Sequence, residues 1–153
     1  KDIFHSESSI IDIGCGRSNE LKDFLLQECD IKHYVGIDNI DYTKNEWCIQ
    51  SDMHDIEKIN PESFDIVIFN NVLEHSISPY LALLEARRVL VPQGIIVIGL
   101  PEGIGHDVGE SHFINLTRTQ LQNLLTKTNF IPYGEFMQKI GSMLYYKAKK
   151  VKA

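Results

Sequence analysis

Short apolar runs alternate with helical repeats along the chain. Ile10-Ile11-Asp12-Ile13 comes first: it is too short for a helix and rich in β-branched Ile, which predicts a buried strand. The run enters Gly14-Cys15-Gly16-Arg17-Ser18, where the two glycines permit positive φ and let a ligand approach the backbone. Leu21, Phe24, Leu25 and Cys29 then recur at helical spacing, predicting an amphipathic helix with Ser18 or Asn19 as its N-cap. Tyr34-Val35-Gly36-Ile37-Asp38 predicts a second buried strand that ends in an acid, followed by a polar loop from Asn39 to Glu46. Trp47 to Gln50 is a less marked third strand just ahead of Ser51-Asp52-Met53. Phe64 to Phe69 is the clearest central strand, and it delivers Asn70 and Asn71 to its C-terminal edge.

Ser78-Pro79 predicts a helix start, because proline at the first helical position has no N–H to leave unpaired. That helix carries Leu81, Leu84, Val89 and Leu90 and breaks before Pro92-Gln93-Gly94. Gly94 to Leu100 reads as a fifth strand closed by Pro101. Thr117 and Gln120 have capping-box spacing ahead of Leu121, Leu124 and Leu125. Phe130 to Met137 and Ser142 to Lys147 predict two closing strands joined around Gly141. This alternation predicts one α/β sheet with helices on both faces, and residues 1–153 read as a single domain. Ligands of such sheets sit beyond the carboxyl ends of the strands. Asp12, Asp38, Asp52 and Asn70 fall at four successive strand ends, which predicts a nucleotide-like ligand with Asp38 accepting from ribose hydroxyls.

Composition narrows the class. The 153 residues are 43% hydrophobic and 24% charged, ordinary values for a folded soluble chain. A net charge of -6 offers no broad basic footprint, so a nucleic-acid partner is not expected. Cys15, Cys29 and Cys48 lack zinc or redox spacing, which predicts reduced thiols, a cytoplasmic location and no metal site. No apolar run approaches the roughly 20 residues of a membrane span, and no signal peptide precedes the first strand. The lysines at 147, 149, 150 and 152 read as a solvated terminus.

Asp12 and Asn19 discriminate between nucleotides. A dinucleotide fingerprint needs a third glycine where Asn19 stands. A carboxylate ahead of the glycines also suits an ammonium better than a diphosphate. The ligand then carries both a ribose and a cationic amine, as S-adenosylmethionine does. The alternative, a nicotinamide-dependent oxidoreductase, rests on the glycine turn and Asp38 alone.

On these residues the chain resembles the class I S-adenosylmethionine-dependent methyltransferases of the methyltransferase type 11 group, over nearly its whole length. Ile11-Asp12-Ile13-Gly14-Cys15-Gly16 matches the first motif, Val35-Gly36-Ile37-Asp38 the second-strand acid, and Ser51-Asp52-Met53 the adenine clamp. Phe64 to Val67, Asn71 to His75 and Arg88 to Gly94 match the fourth strand, its helix and the turn into strand five. The resemblance implies a Rossmann-like, doubly wound, seven-stranded and mostly parallel sheet in the order 3-2-1-4-5-7-6, with strand 7 antiparallel. It implies a cofactor site of Asp12, Gly14, Cys15, Gly16, Asp38, Asn39, Asp52, Met53 and Asn70, with S-adenosyl-L-methionine as donor and S-adenosyl-L-homocysteine as product. Asp52 would accept from the adenine amine, and the Met53 N–H would meet a ring nitrogen. The chain departs from the pattern at Ser18, in place of a third glycine, and at Asn39, where an apolar residue often stacks on adenine; Ile40 is expected to take over that contact. Only nine residues precede Ile10, fewer than the helices that usually cover the substrate, so either an open acceptor site or an extra segment or subunit over it is expected.

Methyl transfer from a sulfonium needs alignment first and a base only for a protonated nucleophile. His75, His106 and His112 are the candidate bases, with His75 and His112 the catalytic assignments; Glu74 and Tyr80 are rim candidates. Asn70-Asn71-Val72-Leu73 lacks the Asn-Pro-Pro-aromatic signature of base or glutamine methylation, so a small-molecule acceptor such as a sugar, lipid or quinone precursor is expected. A methyltransferase-like module that binds cofactor or a partner without catalysis is the other reading.

Overall fold

The computed structural model describes residues 3–5, 7–29, 31, 33–42, 46–101, 113–114 and 116–151. Seven strands form one sheet: β1 (Ser9–Ile13), β2 (His33–Asp38), β3 (Cys48–Gln50), β4 (Phe64–Asn70), β5 (Leu90–Pro101), β6 (Phe130–Ile140) and β7 (Met143–Lys150). Their order is β3-β2-β1-β4-β5-β7-β6, parallel from β3 to β5, with β7 antiparallel to both its neighbours. This is the order implied by the resemblance. Helix α1 (Glu20–Glu28) follows β1, α2 (Pro79–Val89) precedes β5, and α3 (Arg118–Lys127) precedes β6.

Both sheet faces are covered, so the central strands read as nearly continuous apolar runs. On one face Ile11, Ile13, Val67, Phe69 and Ile98 pack with Ala82, Leu83 and Ala86 of α2 and Leu121 and Leu125 of α3. On the other, Ile10, Ile66, Ile68 and Val97 pack with Leu25 of α1. Ser78 accepts from Leu81 N at the start of α2, and Thr117 with Gln120 forms the expected capping box on α3. Asn19 occupies the N-cap of α1 without a side-chain bond; Ser18 Oγ instead accepts from Glu20 N at 3.1 Å.

Four local expectations are corrected. The leucines at 81 and 84 do not form the core face of α2: they are 48% and 36% exposed, whereas Ala82, Leu83, Ala86 and Val89 are buried. The buried face therefore mixes two alanines with Leu83 and Val89, and Leu81 and Leu84 lie on its flanks. Leu90 is the first residue of β5, and Pro92-Gln93-Gly94 lies within that strand at a register shift, with Gln93 at φ 70°. Phe24 is 46% exposed on α1. Lys150 is not a solvated tail residue: it is 5% exposed, and its Nζ donates to Leu90 O at 2.5 Å and to Glu62 Oε1 at 3.3 Å.

The two faces of α2 give a direct test. Leu83→Ala is expected to lower the unfolding free energy by about 2–5 kcal/mol in urea titrations, as for buried leucines generally. Leu81→Ala should change it by no more than about 1 kcal/mol, because its side chain is half outside the core.

Candidate functional site

The strand order reverses between β1 and β4, and a crevice opens there beyond the carboxyl ends of the parallel strands. Gly14 makes this crevice. It takes φ 76°, and a Cβ at this position would lie 2.2 Å from Val72 Cγ2. Glycine is therefore required twice, by the backbone conformation and by the approach of the β4–α2 connection. Ile37 O at the end of β2 accepts from both Gly14 N at 2.7 Å and Cys15 N at 3.1 Å. Gly16 N donates to Asp38 Oδ2 at 2.9 Å, and Ile40 N to Asp38 Oδ1 at 3.0 Å. The turn after β1 and the acid ending β2 are thus one hydrogen-bonded unit.

A cavity of about 200 Å³ lies on this unit, lined by Ile13, Gly14, Ile37, Asp38, Asn39, Ser51, Asp52, Met53, Val72 and His75. Six residues chosen from sequence therefore meet around one space: Gly14, Asp38, Asn39, Asp52, Met53 and His75. Ile40 does not line it and is 52% exposed; the apolar walls are Ile13, Ile37, Met53 and Val72. Among the described residues, no Lys or Arg lines the cavity. His112 and His106 lie outside the described residues.

Asp12, Cys15, Gly16 and Asn70 are adjacent but do not line the cavity. Asp12 points with Ile10 to the α1 face, is 3% exposed, and accepts from Tyr34 OH at 2.7 Å through Oδ2. Its Oδ1 is buried with no hydrogen-bond partner among the described residues. Burial, only partly offset by the Tyr34 hydroxyl, pushes the Asp12 carboxyl up to about 6, with Asp38 adding to the rise. Cys15 Sγ lies 3.4 Å from Cys48 Sγ, and burial raises the pKa of both thiols, so they stay protonated. Asn70 lines a second cavity, about 410 Å³ on the α1 face, where Tyr145 OH approaches its Oδ1 at 3.4 Å.

The segment carrying Asp52 and Met53 has no regular structure, and side chains distant in sequence hold it. Arg88 of α2 donates to Ile59 O at 2.8 Å and Ile56 O at 2.9 Å, while Glu85 Oε2 accepts from Ile56 N at 2.9 Å and pairs with Arg88. Burial alone would raise the Glu85 carboxyl, but Arg88 and the Ile56 N–H outweigh it and hold the group below its usual range. The His54 N–H, assisted by its ring, likewise holds the Asp52 carboxyl low. Sequence reading missed His54, Ser76, Glu85, Arg88 and Tyr34. Only the Glu85-to-Arg88 spacing, one helical turn, was a visible sign of any of them.

A family model described as a methyltransferase domain matches residues 11–98. A curated relative, an uncharacterized 37.1 kDa protein in transposon TN4556 of Streptomyces fradiae, is 32% identical over 104 residues, 61% of this chain and 30% of the relative. The chain therefore spans under a third of that relative's length. Three solved structures are similar in fold, each at 18% identity. A Burkholderia thailandensis 1,6-didemethyltoxoflavin-N1-methyltransferase, with bound 1,6-didemethyltoxoflavin and S-adenosylhomocysteine, aligns over 95% of this chain and 72% of its own at TM-score 0.75. An S-adenosylmethionine-dependent methyltransferase of Methanosarcina mazei aligns over 98% and 95% at 0.77, and one of Archaeoglobus fulgidus over 97% and 89% at 0.73. With the family match running from β1 into β5 and the full sheet order in place, this chain belongs to the methyltransferase-domain family, the class I S-adenosylmethionine-dependent methyltransferases.

Proposed function

We propose that the cavity at the β1/β4 switch point binds S-adenosylmethionine, and that the chain transfers the methyl group to a small-molecule acceptor. The observation that carries this reading is the charge of the lining: Asp38 and Asp52 face the space, Asp12 lies behind it, and no described Lys or Arg offsets them. A diphosphate would meet carboxylates there, which argues against the nicotinamide reading; a ligand with a sulfonium and an ammonium would be attracted.

In this reading Asp38 accepts from the ribose hydroxyls, Asp52 from the adenine amine, and Met53 N–H meets a ring nitrogen beside Asn39. Gly14, Cys15 and Gly16 give the ligand a backbone edge without side-chain obstruction, and Asp12 uses its orphaned Oδ1 to hold the ammonium, directly or through one water. Asn70 would exchange Tyr145 for the ligand. Bound S-adenosylmethionine supplies a methyl on a cationic sulfur: an acceptor lone pair forms the new bond to carbon as the carbon–sulfur electrons return to sulfur. His75, on the cavity wall, takes the proton of an acceptor that starts protonated. His112 keeps its candidacy as a second base from sequence alone.

A net charge of -6 supports a small acceptor, as does the acceptor of the Burkholderia thailandensis relative. The apolar cavity on the α1 face, where Phe24 stays 46% exposed, supports a further segment or subunit over the acceptor side. Residues 1–153 are read as one domain. The free thiols at Cys15, Cys29 and Cys48 support a cytoplasmic location, and no described helix is long and apolar enough to cross a membrane.

Calorimetric titration with S-adenosylhomocysteine should give saturable binding, weakened about 10- to 100-fold in Asp38→Ala through loss of charge-assisted hydrogen bonds. Absence of binding to the parent protein would overturn the reading. Labelled methyl should pass from S-adenosylmethionine to a compound in a metabolite extract; binding without transfer would favour the non-catalytic module.

Asp12 adds a pH test. Its folded value of about 6 lies above the ordinary 3.8, so its contribution to stability is complete below pH 3.8 and is lost as pH rises through 6. The loss is of order 2–3 kcal/mol. Asp12→Asn is expected to remove that part of the slope in urea unfolding measured from pH 4 to 7.5. An ammonium at Asp12 would lower its pKa, so S-adenosylhomocysteine should bind more tightly as pH rises through 6, with proton release that Asp12→Asn abolishes.

A further inference from the structure

Three side chains beside the cavity form a hydrogen-bonded line that the strand-end residues do not account for. Asp52 Oδ1 accepts from His54 N at 2.8 Å and lies 2.6 Å from His54 Nδ1. The other ring nitrogen, Nε2, lies 2.7 Å from Ser76 Oγ. Ser78 N–H closes the far end, at 3.2 Å from Ser76 Oγ and 3.4 Å from His54 Nε2. Carboxylate, imidazole and hydroxyl stand in the order of a hydrolytic triad. Ser76 is 0% exposed, however, and a nucleophile must be reached by its substrate. The accessible end is the carboxylate: the Asp52 side chain is 64% exposed against 15% for His54, and Asp52 lines the cavity.

The line therefore runs from a buried hydroxyl, through a mostly buried ring, to an acid at the ligand. Such an arrangement orients the acid. Both contacts to Asp52 fall on Oδ1, which leaves Oδ2 for a donor in the cavity. The inner end is anchored next to His75 and at the cap of α2, so the ring spans the adenine end of the cavity and the β4–α2 connection.

We propose that His54 is the positioning residue for adenine recognition: it pins Asp52 Oδ1, presents Oδ2 to the purine amine, and ties that carboxylate through Ser76 to the connection carrying His75. This rests on the cavity being the S-adenosylmethionine site. A held carboxylate accepts from an amine and repels a carbonyl at the same ring position, so it selects adenine over hypoxanthine. A carboxylate free to rotate on an exposed turn discriminates less.

The test compares S-adenosylhomocysteine with its inosine counterpart, in which a carbonyl replaces the purine amine, by calorimetry on the parent protein, His54→Ala, His54→Asn and Ser76→Ala. The parent should prefer the adenine ligand by about 30-fold or more, a difference expected where a charge-assisted hydrogen bond is replaced by carboxylate–carbonyl repulsion. His54→Ala should reduce the preference to about threefold or less. His54→Asn, whose amide keeps a donor near the Nδ1 position, should restore most of it. Ser76→Ala should give an intermediate value, and unfolding curves identify the variants that remain folded. If His54→Ala fails to fold, His54→Asn and Ser76→Ala decide: a preference unchanged in Ser76→Ala and abolished in His54→Asn overturns the role. An unchanged preference in folded His54→Ala also overturns it while leaving the cofactor site intact. If the parent binds neither ligand, the site reading falls and this role with it.

Discussion

The contact between Gly14 and Val72 governs the site. A Cβ on Gly14 would sit 2.2 Å from the Val72 side chain, so the turn after β1 and the connection after β4 are as close as chain geometry allows. That closeness brings the ends of β1, β2 and β4 to one edge. Ile37 O then fixes the turn from the β2 side by accepting two successive N–H groups, and Asp38 takes the third at Gly16. The acid ending β2 consequently performs two tasks. It completes a backbone turn, and it presents its remaining acceptor capacity to the cavity.

The far wall is built differently. Residues 51–60 make no strand or helix, and the backbone bond from Ser51 N to Asp38 O secures only the start of the segment. Arg88 and Glu85 bind the backbone at Ile56 and Ile59, and His54 joins Asp52 to Ser76. All of these anchors come from α2 or the connection before it. Helix α2 thus serves as a core element through Ala82, Leu83 and Ala86 and as the scaffold of the wall carrying Asp52 and Met53 through its more polar flank.

Legibility followed this division. Strands buried on both faces leave continuous apolar runs, glycine turns leave glycines, and caps leave Ser-Pro or Thr-x-x-Gln; hence β1, β2, β4, α2 and α3 could be placed from local pattern. The order of the sheet came through resemblance, since strand neighbours separated by dozens of residues leave no local trace. The His54–Ser76 contact spans 22 residues and joins two irregular segments, which gives neither side chain a distinguishing neighbourhood in the sequence. The inward face of α2 is not legible from its leucines, because Ala82 and Ala86 share that face with Leu83 and Val89 while Leu81 and Leu84 stay partly exposed. Burial of Lys150 is not legible either, because composition shows a charge run and hides the carbonyl of Leu90 beneath one member of it.

Asp12 shows why a strand-end acid can be retained at a cost to the fold. Its Tyr34 contact satisfies one oxygen and leaves the other buried and unpaired, with a pKa raised to about 6, so ionisation at neutral pH opposes folding. An uncharged residue would serve the strand better. With Asp38 and Asp52 on the cavity itself, the acid instead builds a negative field around a space that no described cation lines. A donor with a cationic sulfur and an ammonium is favoured by that field. Transfer of the methyl removes the sulfur's charge and leaves only the ammonium to be attracted. In the proposed reading the same carboxylates therefore hold the donor more tightly than the product and favour exchange of one for the other, a bias that a diphosphate-binding glycine loop with neutral or basic lining would not provide.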